Sequence, residues 1–132
     1  MSVGLLLITH GNVGQCVLDT AVAVLGSCPL PSQAMAIPMG CEREIMRCKA
    51  SETIAQLQQG DGVLVLTDMY GATPCNIACD LKSDQVAVVS GLNLPMLIRV
   101  LNYPTLSLPE MVEKAISGGR DGVVLCHWGQ TT

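Results

Sequence analysis

The stretch LLLITHGNVGQ, Leu5–Gln15, decides how the chain is read: an unbroken apolar run passes through Thr9 and His10 into a glycine-punctuated turn. A run with no polar alternation suits a strand buried on both faces, as in a parallel sheet covered by helices. His10 is one of only two histidines, and it falls where strand gives way to loop. That junction is where open α/β sheets collect their ligands.

Outward from this unit the pattern repeats, with short apolar runs alternating with amphipathic stretches, as βα units do. Strands are expected at about Val3–Thr9, Gln33–Pro38, Gly62–Thr67, Val86–Val89 and Gly122–Cys126. A first helix is expected at about Val13–Leu25, burying Val13, Cys16, Val17, Ala21 and Val24, with Gly26 just past its end. The second, about Glu42–Gln58, places Met46, Ala50, Ile54 and Leu57 on its apolar face. The third, about Pro74–Leu81, carries a start signal, with Thr73 suited to the N-cap and Pro74 to the first helical position. A fourth begins near Pro95, and a fifth spans about Pro109–Ser117 before a break at Gly118 and Gly119.

The chain of 132 residues suits one domain over 1–132 with a single core. Hydrophobic residues make up 49% and charged residues 14%, and the mean hydropathy is +0.44. The apolar runs nevertheless stay far below the roughly 20 residues that span a bilayer, and the start lacks the basic region of a signal peptide. A cytoplasmic protein is expected, its excess apolar surface pointing to a homo-oligomer. With net charge −4 and no basic cluster interleaved with aromatics, nucleic acid and anionic membranes are not expected partners.

Seven cysteines without a CxxC pair read as reduced, mostly core thiols. Cys75 and Cys79 lie one helical turn apart, yet a zinc site would need two further ligands that no nearby spacing supplies. No metal and no cofactor are expected. Cys75 also falls near a helix start, where a thiolate can be stabilised, so a thiol-based redox sensor rivals simple packing there.

The site argument comes from topology. In strand order 2-1-3-4, the loops after strands one and three line one crevice. They are THGN, holding His10, and TDMYGATP, holding Asp68. A carboxylate beside an imidazole accepts the Nδ1 proton and leaves Nε2 as nucleophile or base. Thr73, at a helix start in GATP, offers a hydroxyl and backbone N–H groups to an anion. The loops Thr9–Asn12, Asp68–Pro74 and Ser90–Asn93 hold no Lys or Arg, and the chain has no GxxxxGK[ST]. A single phosphoryl fits such a crevice better than a nucleotide triphosphate. HGNVG likewise lacks the glycine spacing of a dinucleotide loop.

LLLITHGNVGQ, VLVLTDMYGATPCNIA and VVSGLNLPML resemble, in order and spacing, the loop motifs of the enzyme IIA component of the mannose/fructose-type phosphotransferase system. The resemblance implies a doubly wound, mainly parallel α/β sheet of order 2-1-3-4, with a last strand exchanged in a homodimer. It implies that His10 accepts a phosphoryl from an HPr-like phosphocarrier and passes it to a IIB protein during sugar uptake. Asp68 would orient His10, while Gly71, Ala72 and Thr73 would meet the phosphoryl oxygens. Because the sequence ends at Thr132, a separate IIB acceptor is expected.

Ala72 stands where the family motif usually has a second glycine, which matters only if that position needs a positive φ. Met69, Tyr70 and Asn93 are candidate partner contacts. His127, beside Trp128, is expected at the surface or in a dimer contact. A regulatory module, whose partners change with phosphorylation of His10, is the rival of a transport role.

Overall fold

The computed structural model describes residues 2–129. Strands β1 (Gly4–His10), β2 (Ser32–Ile37), β3 (Val63–Thr67) and β4 (Val86–Ser90) alternate with helices α1 (Val13–Leu25), α2 (Arg43–Leu57), α3 (Thr73–Cys79) and α4 (Leu94–Leu101), and α5 (Leu108–Asp121) follows. All strand pairings are parallel, in the order β2-β1-β3-β4. Leu5 lies between Ser32 and Leu64, and Thr67 pairs with Ser90.

Alternation along each strand sends successive side chains to opposite faces. Leu5, Leu7, Leu64, Leu66 and Val89 pack with residues of α1, α4 and α5. Leu6, Ile8, Val63, Val65 and Val86 pack with residues of α2 and α3. The sheet is therefore covered on both faces, which explains why β1 and β3 read as unbroken apolar runs. Each such side chain, taken fully from water, contributes about 1.5–3 kcal/mol. No helix among the described residues is long and apolar enough to cross a membrane.

Three sequence expectations need correction. Residues Gly122–Cys126 form no strand in the sheet of their own chain and lie exposed. The composition of that segment is strand-like, but within its own chain it does not pair with either edge strand, β2 or β4. The Gly118-Gly119 pair does not end α5, which continues to Asp121. Those glycines serve close packing on α4: a Cβ on Gly118 would stand 2.7 Å from the Arg99 Cβ, and one on Gly119 would stand 2.8 Å from the Met96 Cε. On α1 the buried residues are Gly14, Leu18 and Ala21, whereas Val13, Cys16 and Val24 face solvent. Gly14 brings the helix against Thr9 and Leu7, and this contact rotates the buried face away from the one hydrophobicity favours.

The cysteines also differ from a mostly core set: Cys75 is buried, Cys41 and Cys79 are partly buried, and Cys16, Cys28, Cys48 and Cys126 are exposed. All seven are free thiols.

Gly4 shows how closely the layers meet, since a Cβ there would lie 2.6 Å from the Leu57 carbonyl oxygen. Gly4→Ala should destabilise the fold by about 1–3 kcal/mol through overpacking. Urea unfolding monitored by circular dichroism should show a lowered midpoint at unchanged slope.

Candidate functional site

β1 and β3 are neighbours whose following helices depart to opposite faces, so their carboxyl ends open one crevice. β1 delivers His10 as its last residue, and Asp68 follows directly on β3. Asp68 Oδ2 accepts two hydrogen bonds from His10. One comes from the backbone N–H at 3.2 Å, and the other joins it to ring Nδ1 at 2.9 Å. The first fixes the carboxylate to the main chain, and the second sets Nδ1 as the protonated nitrogen when the ring is neutral. Nε2 is left with the free lone pair. The His10 side chain is 37% exposed and Asp68 15%, so the orienting group is the more protected member.

Thr9, fully buried, holds the turn behind His10. Its hydroxyl oxygen accepts the Gly14 N–H at 2.7 Å and donates to the His10 carbonyl at 3.3 Å. Asn12, at the cap position of α1, makes no side-chain cap bond, so Thr9 satisfies an amide that the helix start would leave open. Gly11 N–H donates to the Ile37 carbonyl at 3.2 Å and ties the same turn to the end of β2.

A cleft of ≈ 480 Å³ opens at this point, walled by His10, by Ile37–Cys41 at the β2 end and by Gly71–Thr73 with Asn76. Its third wall is the β2–α2 loop, which the sequence did not single out. Of the loop Ser90–Asn93, expected to border the crevice, Ser90, Gly91 and Asn93 instead line a separate cleft with Met96, Val112 and Ile116. None of the residues around the His10 cleft is Lys or Arg. Arg43, at the start of α2, is paired with Asp80 at 3.0 Å. Among the described residues no three His, Cys, Asp or Glu side chains group as a metal site would require.

Of the other predicted residues, Gly71 adopts φ +80° and supplies the left-handed turn that only glycine makes cheaply. Ala72 has φ −84° and ψ 169°, extended backbone open to any residue, so alanine there carries no conformational penalty. The cap position of α3 is Ala72 and not Thr73, which begins the helix ahead of Pro74. Ala72 has no side chain to cap the first turn, and its N–H makes only a long bond of 3.4 Å to the Met69 carbonyl.

Met69 and Tyr70 stand out at the rim, 57% and 85% exposed, and Met39 on the facing loop is 90% exposed. Met39 lay in PMGC, whose Pro and Gly mark a turn but carry no chemistry. Asn93 is committed within the chain. Its Oδ1 accepts the Met96 N–H at 2.9 Å as the α4 cap, and its Nδ2 donates to the Gly119 carbonyl at 3.1 Å.

Fold and site together define a class: doubly wound α/β domains that present a carboxylate-oriented imidazole at the sheet's switch point. The family described as "PTS system fructose IIA component" matches residues 4–116, and the chain belongs to it. The Escherichia coli K12 "PTS system mannose-specific EIIAB component" is 32% identical over 127 residues, 93% of this chain and 39% of that protein. The chain thus spans well under half the length of that relative. "Transcriptional regulatory protein LevR" of Bacillus subtilis is 28% identical over 111 residues, 80% of this chain and 12% of that protein. The "Mannose/sorbose specific IIA subunit" from Enterococcus faecalis superposes with TM-score 0.87 at 24% identity, each chain covered completely, so it shares the fold.

The Asp68 contact should be visible in solution. In the neutral protein, imidazole nitrogen NMR should report a predominantly Nδ1-protonated His10. Asp68→Ala should shift it toward the Nε2-protonated tautomer, and an unchanged tautomer ratio would remove the carboxylate from that role.

Proposed function

We propose that this chain is a phosphoryl-relay component of sugar uptake, receiving a phosphoryl on His10 from an HPr-like phosphocarrier and handing it to a IIB protein. The observation that carries the proposal is the 2.9 Å contact between His10 Nδ1 and Asp68 Oδ2. Family membership supplies the chemistry for which an imidazole so held is suited.

The Nε2 lone pair attacks the phosphorus of a donor phosphohistidine in line. The new N–P bond forms as the donor's N–P bond breaks, and Asp68 stabilises the positive charge that develops on the ring. First-turn N–H groups at Ala72 and Thr73, with the Thr73 hydroxyl, meet the phosphoryl oxygens. Gly71 shapes the turn that presents them. The cleft brings no cation of its own, so the phosphoryl is held weakly enough to leave again. Met69 and Tyr70, joined by Met39, offer an apolar rim to the docking partner. The proposal places the relay in the cytoplasm.

A second reading, in which phosphorylation of His10 changes protein binding without sugar transport, is favoured by the likeness to LevR. An Enterococcus faecalis structure called "sigma-54 interaction domain protein" shares the fold at TM-score 0.73. The two readings part at the acceptor. Under the first, a cognate IIB protein strips the phosphoryl from His10; under the second it stays.

We further propose a homodimer in which Val123–Leu125 pairs with a second copy. Val123, Val124 and Leu125 are exposed, β4 is a sheet edge, and beside that edge lies a cleft of ≈ 520 Å³ lined by Val88, Val89, Met96, Val112 and Ile116. An exposed edge beside unpaired apolar chain is a template for intermolecular pairing.

Incubation with phosphoenolpyruvate, enzyme I and HPr should add one acid-labile phosphoryl to the intact mass. His10→Ala should abolish it with the fold retained, and Asp68→Asn should slow it by about 10- to 100-fold through lost orientation. No gain with active controls would overturn the relay. Sedimentation should show a dimer that Val124→Asp converts to a monomer; a monomeric parent protein would refute the exchange.

A further inference from the structure

Beneath the phosphoryl loop lies a group of side chains that the relay does not use. Cys75, 2% exposed, and the partly buried Cys79 sit one turn apart on α3 with their sulfurs 3.9 Å apart. α3 packs on β1, β3 and β4, and Thr67 and Ser90 are register partners at the ends of β3 and β4. The hydroxyl oxygens of these two residues are buried and make no hydrogen bond within the chain. Burial pushes the Cys75 thiol up, but the Gly71 amide, the Thr67 hydroxyl, Cys79 and the Ser90 hydroxyl together hold it below its ordinary value. The Cys79 thiol is raised, by burial and then by Cys75. The two thiols are thus shifted in opposite directions.

From this geometry we propose that Cys75 and Cys79 form a peroxide-responsive dithiol whose oxidation moves the Gly71–Thr73 loop and switches off phosphoryl uptake at His10. The consequence for uptake rests on the relay proposed above; the dithiol itself does not.

The chemistry closes with hydrogen peroxide as the oxidant. The Cys75 thiolate attacks one peroxide oxygen, the S–O bond forms and the O–O bond breaks. The departing hydroxide takes up the Cys75 proton to give water and a sulfenic acid. Cys79 sulfur then attacks Cys75 sulfur, the S–S bond forms as S–O breaks, and the second hydroxide leaves as water with the Cys79 proton. Two thiols are oxidised to one disulfide and one peroxide is reduced to two waters.

Helical i, i+4 spacing separates the two Cα atoms by about 6 Å, inside the range a disulfide spans. The sulfurs must still close from 3.9 Å to about 2.05 Å. Because α3 is only seven residues long, its first turn can absorb the movement. That turn is continuous with Gly71, whose backbone N–H lowers the Cys75 thiol. Oxidation removes the negative acceptor that positions this amide, and a loop displacement of about 1 Å can cost roughly 100-fold in transfer.

The test uses a chain in which Cys16, Cys28, Cys41, Cys48 and Cys126 are replaced by serine, alongside the unaltered protein. After treatment with hydrogen peroxide, the tryptic peptide 50–82, which contains both remaining cysteines, should lose two hydrogens and regain them with dithiothreitol. Cys79→Ala in this background should stop at a sulfenic acid captured by dimedone. The Gly71, Ala72 and Thr73 amide resonances should move on oxidation, and phosphoryl uptake should fall at least about tenfold and recover on reduction. No hydrogen loss, or a disulfide that leaves those resonances in place, would overturn the switch. Reduced unaltered protein that takes no phosphoryl would instead overturn the relay, while the resonances and the peptide mass still judge the dithiol.

Discussion

The site depends on one oxygen atom. Asp68 Oδ2 receives both the backbone N–H and the ring Nδ1 of His10, and so joins the ends of two adjacent strands to the reactive side chain. The second carboxylate oxygen, Oδ1, is buried and unpaired. The sheet beneath fixes the placement of both residues. β1 and β3 are hydrogen-bonded along their length from Gly4 and Val63 to Ile8 and Thr67. The core thereby converts apolar burial into a fixed distance between an imidazole and its carboxylate.

What surrounds this pair is organised by the same requirement. Thr9 fixes the turn on one side through the Gly14 amide, and Gly11 fixes it on the other through Ile37. The Gly71 turn then brings the start of α3 to the cleft without a capping side chain. Imidazole, carboxylate and first-turn amides come from two βα junctions that only a doubly wound sheet makes adjacent. The apolar rim of Met39, Met69 and Tyr70 lies around chemistry with no fixed cation. Partner specificity at such a surface depends more on shape and burial than on charge.

The first four strands were legible because the runs at Leu5–Ile8 and Val63–Leu66 have no polar interruption and end in glycine-bearing turns. The pairing of His10 with Asp68 followed from strand order, since both stand at the ends of strands that the order makes neighbours. Four things were not legible. The Val123–Leu125 segment has strand composition but no place in its own sheet, and periodicity does not report which edge a strand will find. The buried face of α1 is set by Gly14 against Thr9, where the absence of a side chain matters more than hydrophobicity. The third wall of the cleft comes from Pro38–Cys41, residues whose contribution is shape. The cap of α3 falls at Ala72 and not Thr73 because Pro74 is accepted at either of the first two helical positions.

His10 closes a strand whose preceding six residues are all fully buried. Burial along β1 therefore gives way to exposure within a few residues, between Ile8 and Gly11. Side chain and loop can rearrange on their own fast timescale while the sheet stays closed over far longer times. Under the proposed relay, a group carried on His10 would come and go many times within the lifetime of a single folded molecule, each cycle leaving the scaffold that set its geometry unaltered.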